Sequence, residues 1–194
     1  MWQAVLLAGG RGSRLGGRHK PAIAVRGRTL LNHALAAVAG ADRVVVVGPV
    51  EPTDRPVRWT REQPPGGGPV AALAAGLAEI DAPEIAVLAA DLAGITAGTI
   101  DRLRAARTAD GAVLCDATGR KQWLIGVWRT DRLRAALPAA PAGMSLFSVL
   151  STLDVADVPE LPGESVDIDT PADLARMTNQ EGQWPGGLSQ PSHW

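Results

Sequence analysis

Residues 3–21, QAVLLAGGRGSRLGGRHKP, set a short apolar run directly against a loop holding five glycines and four Lys or Arg residues. The run QAVLLA (3–8) ends in glycine, as a buried parallel strand does. In an open α/β sheet, the loop beyond the carboxyl end of such a strand is where a ligand binds. Gly9, Gly10, Gly12, Gly16 and Gly17 carry no side chains, so backbone N–H groups can close on an anion from several directions. Arg14 and Lys20 add full charges: an arginine forks onto two phosphate oxygens, and a lysine acts as a point charge. Strand, glycines and cations together predict a phosphate-binding loop.

The rest of the chain supplies the matching architecture. TLLNHALAAVAG (29–40) has helical spacing and stops at Gly40; RVVVVG (43–48) is a second buried strand. PVAALAAGLAEI (69–80) is a helix with Pro69 in its first turn, and EIAVLAA (84–90) is a third strand that runs into Asp91. TAGTIDRLRAAR (96–107) is a helix with Thr96 at its N-cap, and GAVLC (111–115) is a fourth strand. Beyond these, QWLIGVWR (122–129) and VADVP (155–159) read as strands, and 130–137, 145–153 and 169–178 as helices. Alternating strands and helices predict a single-domain, three-layer α/β/α fold with a mostly parallel, Rossmann-like sheet and right-handed crossovers. The domain is expected over residues 1–178, with a flexible tail over 179–194, where Gly, Pro, Ser and Gln break any periodicity.

Composition narrows the function. The 194 residues suit one domain with a proper core. Nineteen basic against twenty acidic residues, net −1, give no general attraction to nucleic acid or to acidic lipid. The single cysteine, Cys115, excludes an internal disulfide and a cysteine-cluster zinc site, and reads as a small buried hydrophobe. No apolar run reaches the ~18 residues of a membrane span, and MWQAVLLAGG has no basic n-region, so a cytoplasmic location is expected.

Two familiar phosphate motifs fail. The Walker pattern needs Ser or Thr after its lysine, and Pro21 follows Lys20. The dinucleotide fingerprint needs a third glycine where Leu15 stands, and the ribose-binding acid is missing near the end of the second strand, where only Glu51 comes late. That argues against a dinucleotide-dependent oxidoreductase. No Ser, Cys or His triad is evident: His19 lies in the loop, His33 on a helix and His193 in the tail.

LAGGRGSRLGGRHKP (7–21) resembles the signature of the MobA-like nucleotidyltransferases, and within them most closely the guanylyltransferase branch that acts on the molybdenum cofactor. The resemblance extends over about residues 3 to 178. It implies a fold of the nucleotide-diphospho-sugar transferase type and a loop that wraps the triphosphate of an NTP. The implied nucleotide contacts are Leu7, Ala8, Gly9, Gly10, Gly12, Ser13, Arg14 and Lys20, with Arg14 and Lys20 stabilising departing pyrophosphate. REQPPGGGPVAALAAGL (61–77) resembles the family's second block, which assigns Glu62 to reading the base and Gly68 and Pro69 to shaping the loop over it. A solvated loop acid is the competing reading of Glu62. VLAADLAGIT (87–96) resembles the metal block, and Asp91 aligns with the aspartate that holds Mg²⁺. An acid at the end of a central strand beside a phosphate loop supplies the hard oxygen ligand that ion prefers. The family proline after this aspartate is replaced, with Ala93 and Gly94 in its place.

KQWLIGVWR (121–129) resembles the acceptor-side block, which makes Gln122 and Arg129 acceptor-binding candidates; Trp123 replaces the usual proline. VDIDTPADL (166–174) resembles the closing block, in which Asp167 or Asp169 approaches the metal, Asp169 being the second candidate metal ligand. Thr170-Pro171 is equally good as a helix start. His19 stands where the family often has Asp, a replacement that makes sense only if it caps a backbone group.

The implied reaction is nucleotidyl transfer with Mg²⁺ as cofactor: GTP and the phosphate of a molybdopterin-type acceptor give a guanine dinucleotide and pyrophosphate. A molybdoenzyme or cofactor-delivery protein is the implied macromolecular partner. Alternatives are the same chemistry with CTP or another phosphorylated acceptor, favoured by the Asp-rich closing block, and a non-catalytic nucleotide-binding protein. Mere binding does not require Arg14, Lys20 and Asp91 together.

Overall fold

The computed structural model describes residues 1–9 and 19–165. Its centre is a seven-stranded sheet in the order β5-β4-β1-β6-β8-β7-β9. The strands are β1 (Gln3–Leu7), β4 (Val44–Val47), β5 (Arg58–Thr60), β6 (Glu84–Ala89), β7 (Gly111–Cys115), β8 (Lys121–Arg129) and β9 (Val155–Pro159). A separate hairpin pairs β2 (Ala24–Val25) with β3 (Arg28–Thr29). Every neighbour pair in the large sheet is parallel except those made by β8, which runs antiparallel to both β6 and β7.

After their first residues, Gln3 and Glu84, β1 and β6 are apolar because both faces are covered. On one face α1 (Leu30–Ala37) and α3 (Ala97–Ala106) pack Leu31, Leu35, Ile100 and Leu103 onto Leu6, Val46, Leu88 and Leu114. On the other, α2 (Pro69–Leu77), α4 (Thr130–Ala136) and α5 (Leu146–Leu150) pack Leu73, Leu77, Leu133 and Val149 onto Val5, Val47, Val87 and Trp128. The layers are therefore helix, sheet, helix, as the alternation predicts. No helix among the described residues is long and apolar enough to cross a membrane.

Three short strands escape the sequence pattern. Edge strand β5 is three residues, none of them buried, so it has no apolar run to betray it. The β2–β3 hairpin turns through Arg26 and Gly27, both at positive φ (52° and 77°). Two central residues at positive φ suit a tight hairpin, but Arg-Gly is a weaker signal than Asn-Gly. The helix expected over 145–153 is confined to Leu146–Leu150, capped by Ser145, whose hydroxyl accepts from the Ser148 N–H. The helix expected over 169–178 and the tail over 179–194 lie outside the described residues.

The chain leaves β1 for α1 on one face and leaves β5 for α2 on the other, so the sheet order reverses between β1 and β6. A switch of this kind opens a crevice beyond the carboxyl ends of the strands. The register places Leu7, Val47 and Ala89 level at that end. Because β8 is antiparallel, its beginning lies there as well, with Ile125 opposite Leu88, while its last residue, Arg129, faces Glu84 at the far end.

Residues 161–165 are anchored to α3 by one buried carboxylate. Glu164 is 2% exposed. Arg102 donates to both of its oxygens at 2.8 Å, Thr99 Oγ1 at 2.5 Å and the Leu161 N–H at 2.7 Å. Burial alone pushes the Glu164 carboxyl up, but Arg102, Thr99 and the Leu161 N–H outweigh it and hold the pKa below the ordinary glutamate value. A carboxyl lowered in the folded state contributes stability that is complete above the unfolded pKa of about 4.3 and is lost as pH falls through the folded one. Melting temperature is therefore expected to drop as pH falls below about 4.3, more steeply in the native chain than in Glu164→Gln. Parallel pH profiles of the two would dismiss the pair as a source of acid sensitivity.

Candidate active site

The crevice is a cleft of about 1140 Å³. Leu7 and Gly9 from the end of β1, Glu62 and Gly68 from the loop before α2, Asp91 from the end of β6 and Gln122 from the start of β8 all line it. Six of the candidate residues thus converge from four places in the chain. Lys20 joins them through Asp91: its Nζ lies 3.6 Å from Asp91 Oδ2, with both side chains about a quarter exposed. Gly10, Gly12, Ser13, Arg14 and Asp169 lie outside the described residues, as does Asp167.

Each participant is placed by local structure. Ala8 is fully buried: its N–H donates to the Val47 carbonyl and its own carbonyl faces His19. His19 Nε2 is 2.7 Å from that carbonyl, and Nδ1 is 2.9 Å from Glu51 Oε1. His19 thus does cap a backbone group, tying the start of the glycine loop to the segment after β4. The next residues form a single 3-10 turn, Lys20–Ala22, with Pro21 buried beneath it. The turn directs Lys20 back toward β6.

Glu62 is half-buried, and its Oε1 accepts the Gly66 N–H at 2.9 Å. One oxygen therefore braces the loop, which is part of the competing reading of this residue. Gly68 caps α2 at φ 90°, a conformation that L side chains rarely adopt, with Pro69 in the first turn. Gln122 donates its amide to Asp116 Oδ2 at 3.0 Å. Asp116 also organises the β7–β8 turn, accepting from the N–H groups of Thr118 and Arg120. The Thr118 hydroxyl and those N–H groups hold the Asp116 carboxyl below its ordinary range.

Arg129 is a correction. It does not line the cleft; it sits exposed at the opposite end of the sheet, its guanidinium 2.7 Å from Asp131 Oδ2. The antiparallel course of β8 carries it there, so only the first half of the 121–129 block reaches the site.

The structure also adds residues. Arg61, Arg120, Lys121 and Trp123 line the cleft. In a regular strand, alternate residues face opposite sides. Here residues 120–125 all line the cleft, because the β7–β8 register slips between Val113 and Leu114: Val113 pairs with Gly126 but Leu114 with Gln122. Bulges re-aim side chains in this way beside active sites. Among the described residues, no group of three or more His, Cys, Asp or Glu side chains converges to hold a metal.

Residues 4–157 match the family profile described as the MobA-like NTP transferase domain. The chain belongs to this family. A probable molybdenum cofactor guanylyltransferase of Mycobacterium marinum is 34% identical over 155 residues, an alignment covering 73% of this chain and 76% of that protein. The molybdenum cofactor guanylyltransferase of Acidiphilium cryptum is 39% identical over 83 residues, 39% of this chain and 41% of that protein. In fold, the crystal structure of molybdopterin-guanine dinucleotide biosynthesis protein A from Archaeoglobus fulgidus superposes with a TM-score of 0.66 at 20% identity, covering 91% of this chain and 96% of the other. As a MobA-like NTP transferase, the chain is a nucleotidyltransferase.

Proposed function

We propose that this nucleotidyltransferase moves GMP from GTP to the phosphate of a molybdopterin-type acceptor. The observation that carries the reading is the meeting of Lys20 and Asp91 beside a cleft lined by Leu7 and Gly9 at the end of β1 and by the start of β8. The names of the relatives support the guanine and molybdopterin assignments.

An oxygen of the acceptor's phosphate monoester attacks the α-phosphorus of GTP. A P–O bond forms there, the bond to the β-phosphate bridging oxygen breaks, and its electron pair leaves with pyrophosphate. The attacking dianion needs no base, which agrees with the lack of a triad in the sequence. Catalysis then rests on positioning and charge neutralisation. Lys20, with Arg14 from the glycine loop, holds the departing pyrophosphate. Gly9 and the glycines after it leave room for the triphosphate to lie against the backbone.

Asp91 fits a Mg²⁺ ligand. It is a carboxylate about a quarter exposed in the cleft with a cation beside it, and Mg²⁺ characteristically takes one or two carboxylates, the remaining positions going to water and substrate phosphates. When bound, the ion would supply further neutralisation of phosphate charge. Asp169 is its second proposed protein ligand.

The base preference is assigned to Glu62. Guanine offers N1–H and the 2-amino group as neighbouring donors; adenine and cytosine present an acceptor instead at the matching ring nitrogen. Glu62→Gln keeps an oxygen for the Gly66 N–H but removes the charge. It is expected to weaken GTP by about 1–3 kcal/mol, the range for a hydrogen bond to a charged group, and to narrow the gap to CTP and ATP. The test is pyrophosphate release from each of the four NTPs with Mg²⁺, with and without molybdopterin. GTP-specific, molybdopterin-dependent release supports the proposal; equal use of GTP and CTP by the native chain sinks it.

A further inference from the structure

One side chain joins the two ends of the glycine loop. Gly9 opens the loop and Lys20 closes it, and His19, immediately before Lys20, reaches back to the residue before Gly9. Its Nε2–H donates to the Ala8 carbonyl at 2.7 Å, since a carbonyl oxygen can only accept. Its other ring nitrogen, Nδ1, lies 2.9 Å from Glu51 Oε1, in the segment after β4. That segment runs close against Ala8: a Cβ added at Gly48 would stand 2.8 Å from the Ala8 carbonyl oxygen and 2.9 Å from its carbon. On its other side, the His19 carbonyl accepts the Ala22 N–H at 3.0 Å and starts the turn that carries Lys20 to Asp91. His19 is among the residues that line the cleft and Glu51 is not.

We infer that His19 and Glu51 form a strap that presets the loop for a triphosphate, Glu51 being a positioning residue that acts on the nucleotide through His19. The inference rests on the proposed contact between loop and triphosphate, not on the choice of base. A ring held at one nitrogen presents the other in a fixed direction, so Glu51 aims Nε2 at Ala8. The bond to Ala8 then sets the separation of Gly9 and Lys20 before any nucleotide arrives. Without it, the cost of ordering those ends falls on the binding step. The sign of the effect separates a strap from plain electrostatics. Glu51 is an anion near a site for a more highly charged anion, so charge alone predicts that its removal tightens a triphosphate. A strap predicts the reverse. An ion pair without such a role, at side chains about a fifth exposed, would change little when deleted.

Calorimetric titrations of the full chain with GTP and with GMP, each in the presence of Mg²⁺, test the strap, with thermal melts as the control for folding. Glu51→Ala and His19→Ala are each expected to weaken GTP about 10-fold and GMP scarcely at all, because the strap prepares the grip on the β- and γ-phosphates. The double variant should weaken GTP about as much as either single one, since both remove the same strap. Glu51→Gln should bind GTP close to native, its amide being able to donate to Nδ1 or accept from it. His19→Asp introduces the residue the family often has, yet it should be no better than His19→Ala. It sets an acceptor against the Ala8 carbonyl and a second negative charge beside Glu51. GTP affinity unchanged or tightened in Glu51→Ala, Glu51→Gln as weak as Glu51→Ala, native affinity in His19→Asp, GMP weakened in step with GTP, or additive losses in the double variant would each overturn the inference. A native chain that takes CTP in place of GTP would defeat the guanylyl reading alone, and the same ratios would then be read from CTP and CMP. A native chain that binds no nucleoside triphosphate would overturn both.

Discussion

Replacing Asp91 with Asn is expected to lower kcat/KM for nucleotidyl transfer by about two to three orders of magnitude, the loss seen when one preorganised electrostatic contributor is removed from an active site. The melting temperature should scarcely move. Asp91 is about a quarter exposed, and its contact with Lys20 at 3.6 Å is a partly solvated ion pair, worth about 1 kcal/mol or less. The change preserves shape and deletes one charge, and two roles for that charge give opposite results. If Asp91 serves to recruit Mg²⁺, the variant needs far more Mg²⁺ for half-maximal rate and stays slow at saturation. If Asp91 merely holds Lys20 in reserve, neutralising it frees the lysine for phosphate, and activity survives or rises. Rates measured across a Mg²⁺ titration, with thermal melts as the control for folding, separate the two. Near-normal turnover at ordinary Mg²⁺ would remove Asp91 from the catalytic group.

The sequence exposes those parts of the fold whose physics is local and periodic. β4 and, after Gln3 and Glu84, β1 and β6 are covered on both faces, so they appear as apolar runs, and the helices between them carry their own stops and caps. Leu7, Gly9, Gly68 and Asp91 could be placed at the cleft because each sits at a strand or helix end, where chain direction alone fixes the edge of the sheet. What the sequence hides is register and strand direction. Nothing in KQWLIGVWR announces that β8 runs against its neighbours, yet that single fact sends Arg129 to the far end and keeps Gln122 at the site. The slip opposite Val113 is equally silent, since it arises from pairing with another strand. It converts Trp123, a departure from the family pattern, into a wall of the cleft. The service of His19 to two acceptors likewise needs residues eleven and thirty-two positions away.

Gly94→Ala is expected to be the most destabilising conservative change in the described chain. Gly94 is buried in the loop after Asp91, where the family has its proline nearby. A Cβ added there would stand 1.9 Å from the Gly163 carbonyl oxygen, 2.8 Å from its carbon and 3.0 Å from the Glu164 Cα. All three are backbone atoms, so no side chain can swing aside; one of the two segments must move. Moving residues 161–165 pulls Glu164 from Arg102 and Thr99 and strands a carboxylate that is 2% exposed. Breaking a buried pair in this way costs about 3–5 kcal/mol. For a chain of this size that is a fall of about 10 °C in melting temperature. Moving the other segment shifts the loop that begins at Asp91, and activity falls even where the fold holds. Glu164→Gln supplies the control: it removes the charge without the clash, so it should destabilise less and leave kcat intact. A Gly94→Ala chain that melts within about 2 °C of native, less than the shift for 1 kcal/mol, would show that the contact between these two segments is loose. Stability unchanged with activity lost would instead place the displacement wholly on the Asp91 side.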